Sequence, residues 1–231
     1  MKLLLFAAFG VAALSVSARA ADDETESLKK GDRIVFLGDS ITQGGGGPKG
    51  YITLVKKALA EKHKELGIEV VNAGIGGNKV PDLQRRLQKD VLDKKPTLVV
   101  IYIGINDIWH GQSDPSKGTT KEKFADGLKE IVGKIKGAGA RVVLCTPSVI
   151  GEKTGGTNAL DGRLDEYSDI SRKLAKELKL PLCDLRSAFA DYLKTNNSEN
   201  KAQGILTGDS VHLNDEGNKL VAETILKTID R

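Results

Sequence analysis

The chain has 231 residues, of which 39% are hydrophobic and 29% charged, with 35 Lys and Arg against 31 Asp and Glu for a formal net charge of +4. That is enough chain to bury a core without metal or disulfide staples. Its near-balance of charge gives no electrostatic case for a nucleic-acid or polyanion partner. The one long apolar run lies at the very start, which excludes a protein with many membrane spans, and no repeat of fixed period is present.

Residues 1–20 read as a secretory signal peptide. Lys2 supplies a positive start, and Leu3 to Val16 is too short to span a bilayer. Ala18-Arg19-Ala20 is a small-x-small cleavage site, followed at once by Asp22-Asp23-Glu24. The alternative is an uncleaved anchor. With no Cys near the cut, a lipid anchor is not expected, so the expected location is secreted or periplasmic, without a stable membrane anchor. Removing residues 1–20 takes away Lys2 and Arg19 and no acidic residue, which lowers the net charge to +2. A polar tail over 21–30 then precedes one domain over 31–231.

Strands and helices alternate along that domain. Arg33 to Leu37 is a short apolar strand, and Tyr51 to Leu66 has helical spacing through Ile52, Val55 and Leu59. Ile68 to Asn72 is a second strand. Asp82 to Leu92 is helical, with Pro81 at a favoured first-turn position. Thr97 to Ile103 is almost wholly Leu, Val, Ile and Tyr, which predicts a central strand buried on both faces. Thr119-x-x-Glu122 reads as a capping box opening a helix to about Lys136. A fourth strand follows over Ala140 to Cys145, a helix over Leu160 to Leu178, and a fifth strand over Leu180 to Leu185. Asn214 caps a final helix carrying Leu220, Val221, Ile225 and Leu226. Five such alternations predict an α/β fold: a single three-layer α/β/α domain with a five-stranded parallel sheet. The two cysteines, Cys145 and Cys183, sit in apolar strand-like runs and read as buried thiols, although a bridge is conceivable if the two strands are neighbours.

In such sheets ligands bind beyond the carboxyl ends of the strands. The segments there are Gly38-Asp39-Ser40, Asn72-Ala73-Gly74-Ile75-Gly76-Gly77-Asn78, Gly104-Ile105-Asn106-Asp107 and Asp209-Ser210-Val211-His212. Together they hold a hydroxyl, an imidazole, a carboxylate to orient it and donors for an oxyanion, the set that acyl transfer requires. Of the other histidines, His63 lies in a Lys/Glu-rich helix and reads as surface, while His110 follows Trp109 and can line the cleft. Two other patterns are decoys. Gly45-x-Gly47-x-x-Gly50 matches a dinucleotide fingerprint but begins seven residues beyond Gly38, with Asn72 rather than an acid ending the second strand. Lys49 is followed by Gly50, so a P-loop fails. No His/Cys cluster or H-E-x-x-H calls for a metal, and no cofactor is expected.

The four blocks, one per expected loop and in order, resemble the SGNH hydrolases, the GDSL esterase/lipase superfamily, over nearly the whole chain from Gly31. Ile41 stands where the family name has Leu, a conservative departure. The resemblance implies a flavodoxin-like sheet and a serine esterase with Ser40 as nucleophile, His212 as general base and then acid, and Asp209 orienting the imidazole. It implies an oxyanion hole from the Ser40 and Gly77 amides and the Asn106 side chain. Gly74, Gly76 and Gly77 compete for the glycine position, and alignment on Asn72-Ala73 favours Gly77. Asp39, Trp109 and His110 are candidate substrate contacts, although Asp39, like Asp107 and Asp215, is better suited to capping or orienting loops. The insertions Gly44–Gly50, His110–Gly118 and Gly151–Gly162 are polar, which suits a short acyl group on a polar alcohol, such as an acetylated polysaccharide or another small ester. A lysophospholipase or thioesterase is the alternative. A carbohydrate-binding protein without catalysis is disfavoured by the complete triad and by only 4% aromatic residues.

Overall fold

The computed structural model describes residues 27–230, so the expected signal peptide lies outside the described residues. Five parallel strands form one sheet: β1 (Arg33–Gly38), β2 (Glu69–Gly74), β3 (Leu98–Tyr102), β4 (Arg141–Cys145) and β5 (Leu182–Cys183), in the order β2-β1-β3-β4-β5. This is the flavodoxin-like order, whose ligand crevice opens where the winding reverses, between β1 and β3. Every residue of β3 is buried, as a central strand covered on both faces requires. Helices α2 (Tyr51–Lys62) and α8 (Asp215–Ile229) pack together, and α3 (Val80–Asp90), α5 (Lys121–Gly137) and α6 (Asp161–Glu177) form a second packed series. Short helices α1 (Ser40–Gly44) and α4 (Ile105–Trp109) follow β1 and β3, and α7 (Leu185–Asn196) follows β5.

Several boundaries differ from the sequence reading. The first long helix stops at Lys62, and a separate 3-10 turn over Lys64–Leu66 ends at Gly67 with φ +60°. The fifth strand is only Leu182–Cys183, because Asp184 accepts from the Ser187 amide and starts α7 there. The cap of α5 is Thr120, whose hydroxyl accepts from Lys123 N at 3.3 Å, not Thr119. Thr119 is drawn inward instead, where its amide donates to the Asp107 carbonyl. Asn214 caps α8 as expected, accepting from Gly217 N. Cys145 and Cys183 pair in register on β4 and β5 as free thiols, and burial pushes the Cys145 thiol pKa up. His63 is not a solvated surface residue: its side chain is mostly covered and bonds Asp230 at 2.7 Å. Among the described residues no helix is long and apolar enough to cross a membrane, and no cluster of His, Cys, Asp and Glu could hold a metal ion.

Candidate active site

Ser40 is the first residue of α1, at the carboxyl end of β1. Asp39 caps this short helix, its Oδ1 accepting from Ile41 N at 2.9 Å. A first helical residue has no intrahelical acceptor for its amide, so the Ser40 N–H is not used by α1 itself. Asp39 is only 2% exposed. Burial pushes its pKa up to about 7, the negative charge of Asp107 adds to the rise, and the Ile41 amide and His212 oppose it. A carboxyl so covered and so engaged serves as a cap, and the expectation of substrate contact rests on Trp109 and His110.

Ser40 Oγ lies 2.9 Å from His212 Nε2, and His212 Nδ1 lies 2.7 Å from Asp209 Oδ2. The other Asp209 oxygen accepts from the Val211 amide at 3.1 Å and the His212 amide at 2.7 Å. Partial burial would raise the Asp209 pKa, but these bonds outweigh it and hold the carboxyl below its usual range. The three-residue fold-back turns on Ser210, a non-glycine residue at φ +77°. Such strain persists only where neighbours over-determine it. Here Gly151 N donates to the Ser210 carbonyl at 2.8 Å, and Ser210 Oγ donates to the Ala202 carbonyl and to Gln203.

The glycine loop after β2 sorts its own amides. Gly74 N donates to Asn72 Oδ1 at 2.8 Å and Gly76 N to Gln43 Oε1 at 3.0 Å. Among the described residues the Gly77 amide has no such partner, which separates it from the two glycines that compete with it in sequence. Across the crevice Asn106, 4% exposed on α4, donates one Nδ2 hydrogen to the Asn78 carbonyl at 3.1 Å. That bond fixes the amide plane and leaves the second hydrogen available. The turn into α4 depends on Gly104, at φ +129°, where a Cβ would also crowd Pro147. Asp107 beside it is buried, and burial raises its pKa to about 6 while Val80 N donates to Oδ1 at 3.0 Å.

One residue in this frame carries no sequence signal. Arg86 on α3 donates from Nη2 to the Gly38 carbonyl at 2.8 Å and from Nε to Asn78 Oδ1 at 2.7 Å, with Asp90 as its ion-pair partner. It ties the end of β1 to the loop that Asn106 also grips. Trp109 and Ile75 are the large hydrophobic residues left exposed among the described residues, at 39% and 43%. Each adjoins a donor-bearing segment: Trp109 ends α4, and Ile75 precedes Gly76-Gly77. The His110 ring stands tilted to that of Trp109 at 6.5 Å. The decoy Gly45-x-Gly47-x-x-Gly50 is a packing device, since a Cβ on Gly50 would meet the Gly45 carbonyl oxygen at 2.2 Å.

Comparison with known proteins agrees with this architecture. The GDSL-like lipase/acylhydrolase family model matches residues 36–220. An acetylxylan esterase of Geobacillus stearothermophilus is 32% identical over 216 residues, covering 87% of this chain and 95% of that protein. An uncharacterised lipoprotein of Bacillus subtilis, YqeF, is 27% identical over 83% of this chain and 87% of its own length. The crystal structure of an acetyl xylan esterase, AlAXEase, superposes with a TM-score of 0.81 at 45% identity, covering 85% of this chain and 99% of that one. The chain belongs to the GDSL-like lipase/acylhydrolase family, within the SGNH hydrolase superfamily, and is a serine-type carboxylic ester hydrolase.

Proposed function

We propose that this protein is an exported esterase that removes acetyl groups from carbohydrate, with Ser40, His212 and Asp209 as its catalytic triad in a domain over 31–231. The observation that carries the triad is the unbroken line from Ser40 Oγ through both His212 nitrogens to Asp209, at 2.9 and 2.7 Å. Ser40 Oγ attacks the acetyl carbonyl while His212 Nε2 takes its proton, and Asp209 holds the ring tautomer and balances the imidazolium. The Ser40 and Gly77 amides and the free hydrogen of Asn106 Nδ2 receive the developing oxyanion. Collapse of the tetrahedral species breaks the bond to the sugar oxygen, which His212 protonates. Water, deprotonated by the same imidazole, then attacks the acetyl-serine and releases acetate.

The choice of acetylated carbohydrate is supported by the two acetylxylan esterases, which resemble this chain over most of their own length. The exposed Trp109 offers a flat apolar face of the kind that packs on a sugar ring. Export rests on residues 1–20, whose pattern is that of a cleaved signal peptide. A nitrophenyl ester series from acetate to octanoate, run beside acetylated xylooligosaccharides, tests the substrate class. Acetate should be the preferred acyl group and the oligosaccharide should release acetate. Preference for octanoate, with no acetate released from the sugar, would overturn it. A fluorophosphonate probe should label the protein through Ser40, and labelling that survives in Ser40→Ala refutes the nucleophile.

A further inference from the structure

The Asp209–His212 pair sits on an exposed loop. The two side chains are 57% and 46% exposed, so burial alone does not set their position. The loop is nevertheless closed at its foot. Thr207 and Leu213 form an isolated antiparallel bridge, Gly208 N donates to the His212 carbonyl at 2.8 Å, and Asn214 N donates to the Leu206 carbonyl at 3.0 Å. Beneath that foot lies Glu152, a fully buried carboxylate. Its Oε2 accepts from Ile205 N at 2.8 Å. Its Oε1 accepts from Leu206 N at 2.8 Å, Thr207 N at 2.5 Å and the Thr207 hydroxyl at 2.6 Å. Three consecutive backbone amides and a hydroxyl thus converge on one side chain. Glu152 is itself fastened, its amide donating to the Ala202 carbonyl and its carbonyl accepting from Asn197 Nδ2. Its neighbour Gly151 donates to the carbonyl of the strained Ser210.

A buried carboxylate is costly to keep, and here it is satisfied by hydrogen bonds rather than by a cation. Among the described residues no ion pair to Glu152 is present. An apolar side chain could fill the space, but it could not gather three adjacent amides onto one point. We propose that Glu152 is a positioning residue for catalysis: its carboxylate sets the height and angle of the Thr207–Leu213 loop and so holds the Asp209–His212 pair in line with Ser40. The inference rests on the esterase reading above and adds to it a residue outside the four sequence blocks. It acts through the loop and touches no reacting atom.

The substitution that separates positioning from bulk stability is Glu152→Gln. The shape is kept, but an NH2 replaces one acceptor oxygen and opposes a backbone N–H, so one of the four bonds is lost and a donor faces a donor. Positioning at this scale can change rate by up to about 10²-fold. Glu152→Gln is expected to lose about 10- to 100-fold in kcat on nitrophenyl acetate with KM changed less than about threefold, measured per site titrated by fluorophosphonate. The second-order rate of labelling should fall with kcat, because both need Ser40 Oγ activated by a correctly placed imidazole. Ile131→Val in α5 serves as the comparator, a core truncation that lowers stability while leaving kcat per titrated site unchanged. If Glu152→Gln does not accumulate as folded protein, Glu152→Asp and Thr207→Val carry the same comparison, the second by removing only the hydroxyl donor. Wild-type kcat per titrated site in the folded variants overturns the positioning role. A wild-type protein that neither hydrolyses the ester nor labels at Ser40 overturns the esterase reading, and this inference with it.

Discussion

Asp39 precedes the proposed nucleophile and is a carboxyl group almost wholly removed from water, with its pKa pushed up to about 7 from an ordinary 3.8. Desolvation is the largest cause, and the nearby Asp107, itself raised to about 6, adds to it. A raised acid pKa means that the folded chain binds the proton more tightly than the unfolded chain. The stabilising effect of that proton is fully present below about pH 4 and is lost progressively as the pH rises to about 7. The difference corresponds to about 4 kcal/mol at most. Asp39→Asn removes the charge and keeps an oxygen that can accept from Ile41 N. It gives up the stronger acceptor, a loss of about 1–2 kcal/mol. At pH 8 the variant should therefore be more stable than wild type by about 2–3 kcal/mol, which for a chain of this size raises Tm by roughly 4–12 °C. At pH 4 the order should reverse or the two should coincide. Thermal unfolding followed by circular dichroism from pH 4 to 8 reads this directly. Equal slopes of Tm against pH for the two proteins, or a less stable variant at pH 8, would refute the reasoning. If the expected gain appears, the wild-type chain keeps a destabilising carboxyl beside its nucleophile, as active sites do where function opposes stability.

Other consequences can be checked with the same ester assays. Arg86→Met frees the Gly38 carbonyl and the Asn78 side chain at once, and should lower kcat by about 10- to 100-fold, with Arg86→Lys intermediate because an ammonium cannot span both acceptors. Equal kcat in all three proteins would remove Arg86 from the frame. Trp109→Ala should raise KM for acetylated xylooligosaccharide about 3- to 10-fold, matching ~0.5–1.5 kcal/mol for an aromatic contact, and by more than it raises KM for nitrophenyl acetate. Equal changes on both substrates count against a sugar platform. Because the proposed oxyanion hole is made of three amide donors and needs no Lewis acid, EDTA treatment should leave kcat unchanged, and a loss restored by a divalent ion would contradict that assignment.

The order of elements was legible because each strand is a short apolar run and each long helix repeats its apolar residues at 3.6. What local pattern could not supply was contact between segments far apart in sequence. Arg86 stands in a charged helix, Gln84-Arg85-Arg86, and reads as solvated until α3 is laid against the end of β1. Glu152 falls in a glycine-rich polar stretch that reads as surface, yet it is buried under a loop more than fifty residues away. Helix α7 did carry a signal: Leu185, Phe189 and Leu193 recur at four-residue spacing and all three are buried. The preceding Leu180-Pro181-Leu182-Cys183 run masked it by extending a strand pattern into Leu185. Thr119 and Thr120 are chemically alike, and only the Asp107 carbonyl, which accepts the Thr119 amide, decides which of them caps α5.

The proposed role of Asn106 gives the sharpest division between chemistry and scaffolding. Its side chain is nearly buried, and one Nδ2 hydrogen is committed to the Asn78 carbonyl at 3.1 Å. If the remaining hydrogen meets the oxyanion, its contribution grows as charge develops, so its loss should fall on kcat rather than KM. Removing one such donor typically costs about 10²–10³ in kcat, or ~3–4 kcal/mol. Asn106→Ala should lose about that factor. Asn106→Asp keeps the size but replaces both hydrogens with an oxygen, which opposes the Asn78 carbonyl and repels the developing negative charge, so it should be at least as damaging. Were Asn106 only a loop fastener, two results would follow instead: both variants would lose stability together, and kcat per fluorophosphonate-titrated site would stay near wild type. Steady-state kinetics on nitrophenyl acetate, normalised to titrated sites and run well below each variant's Tm, distinguishes the two. Near-wild-type kcat in Asn106→Asp would leave the oxyanion to the Ser40 and Gly77 amides alone.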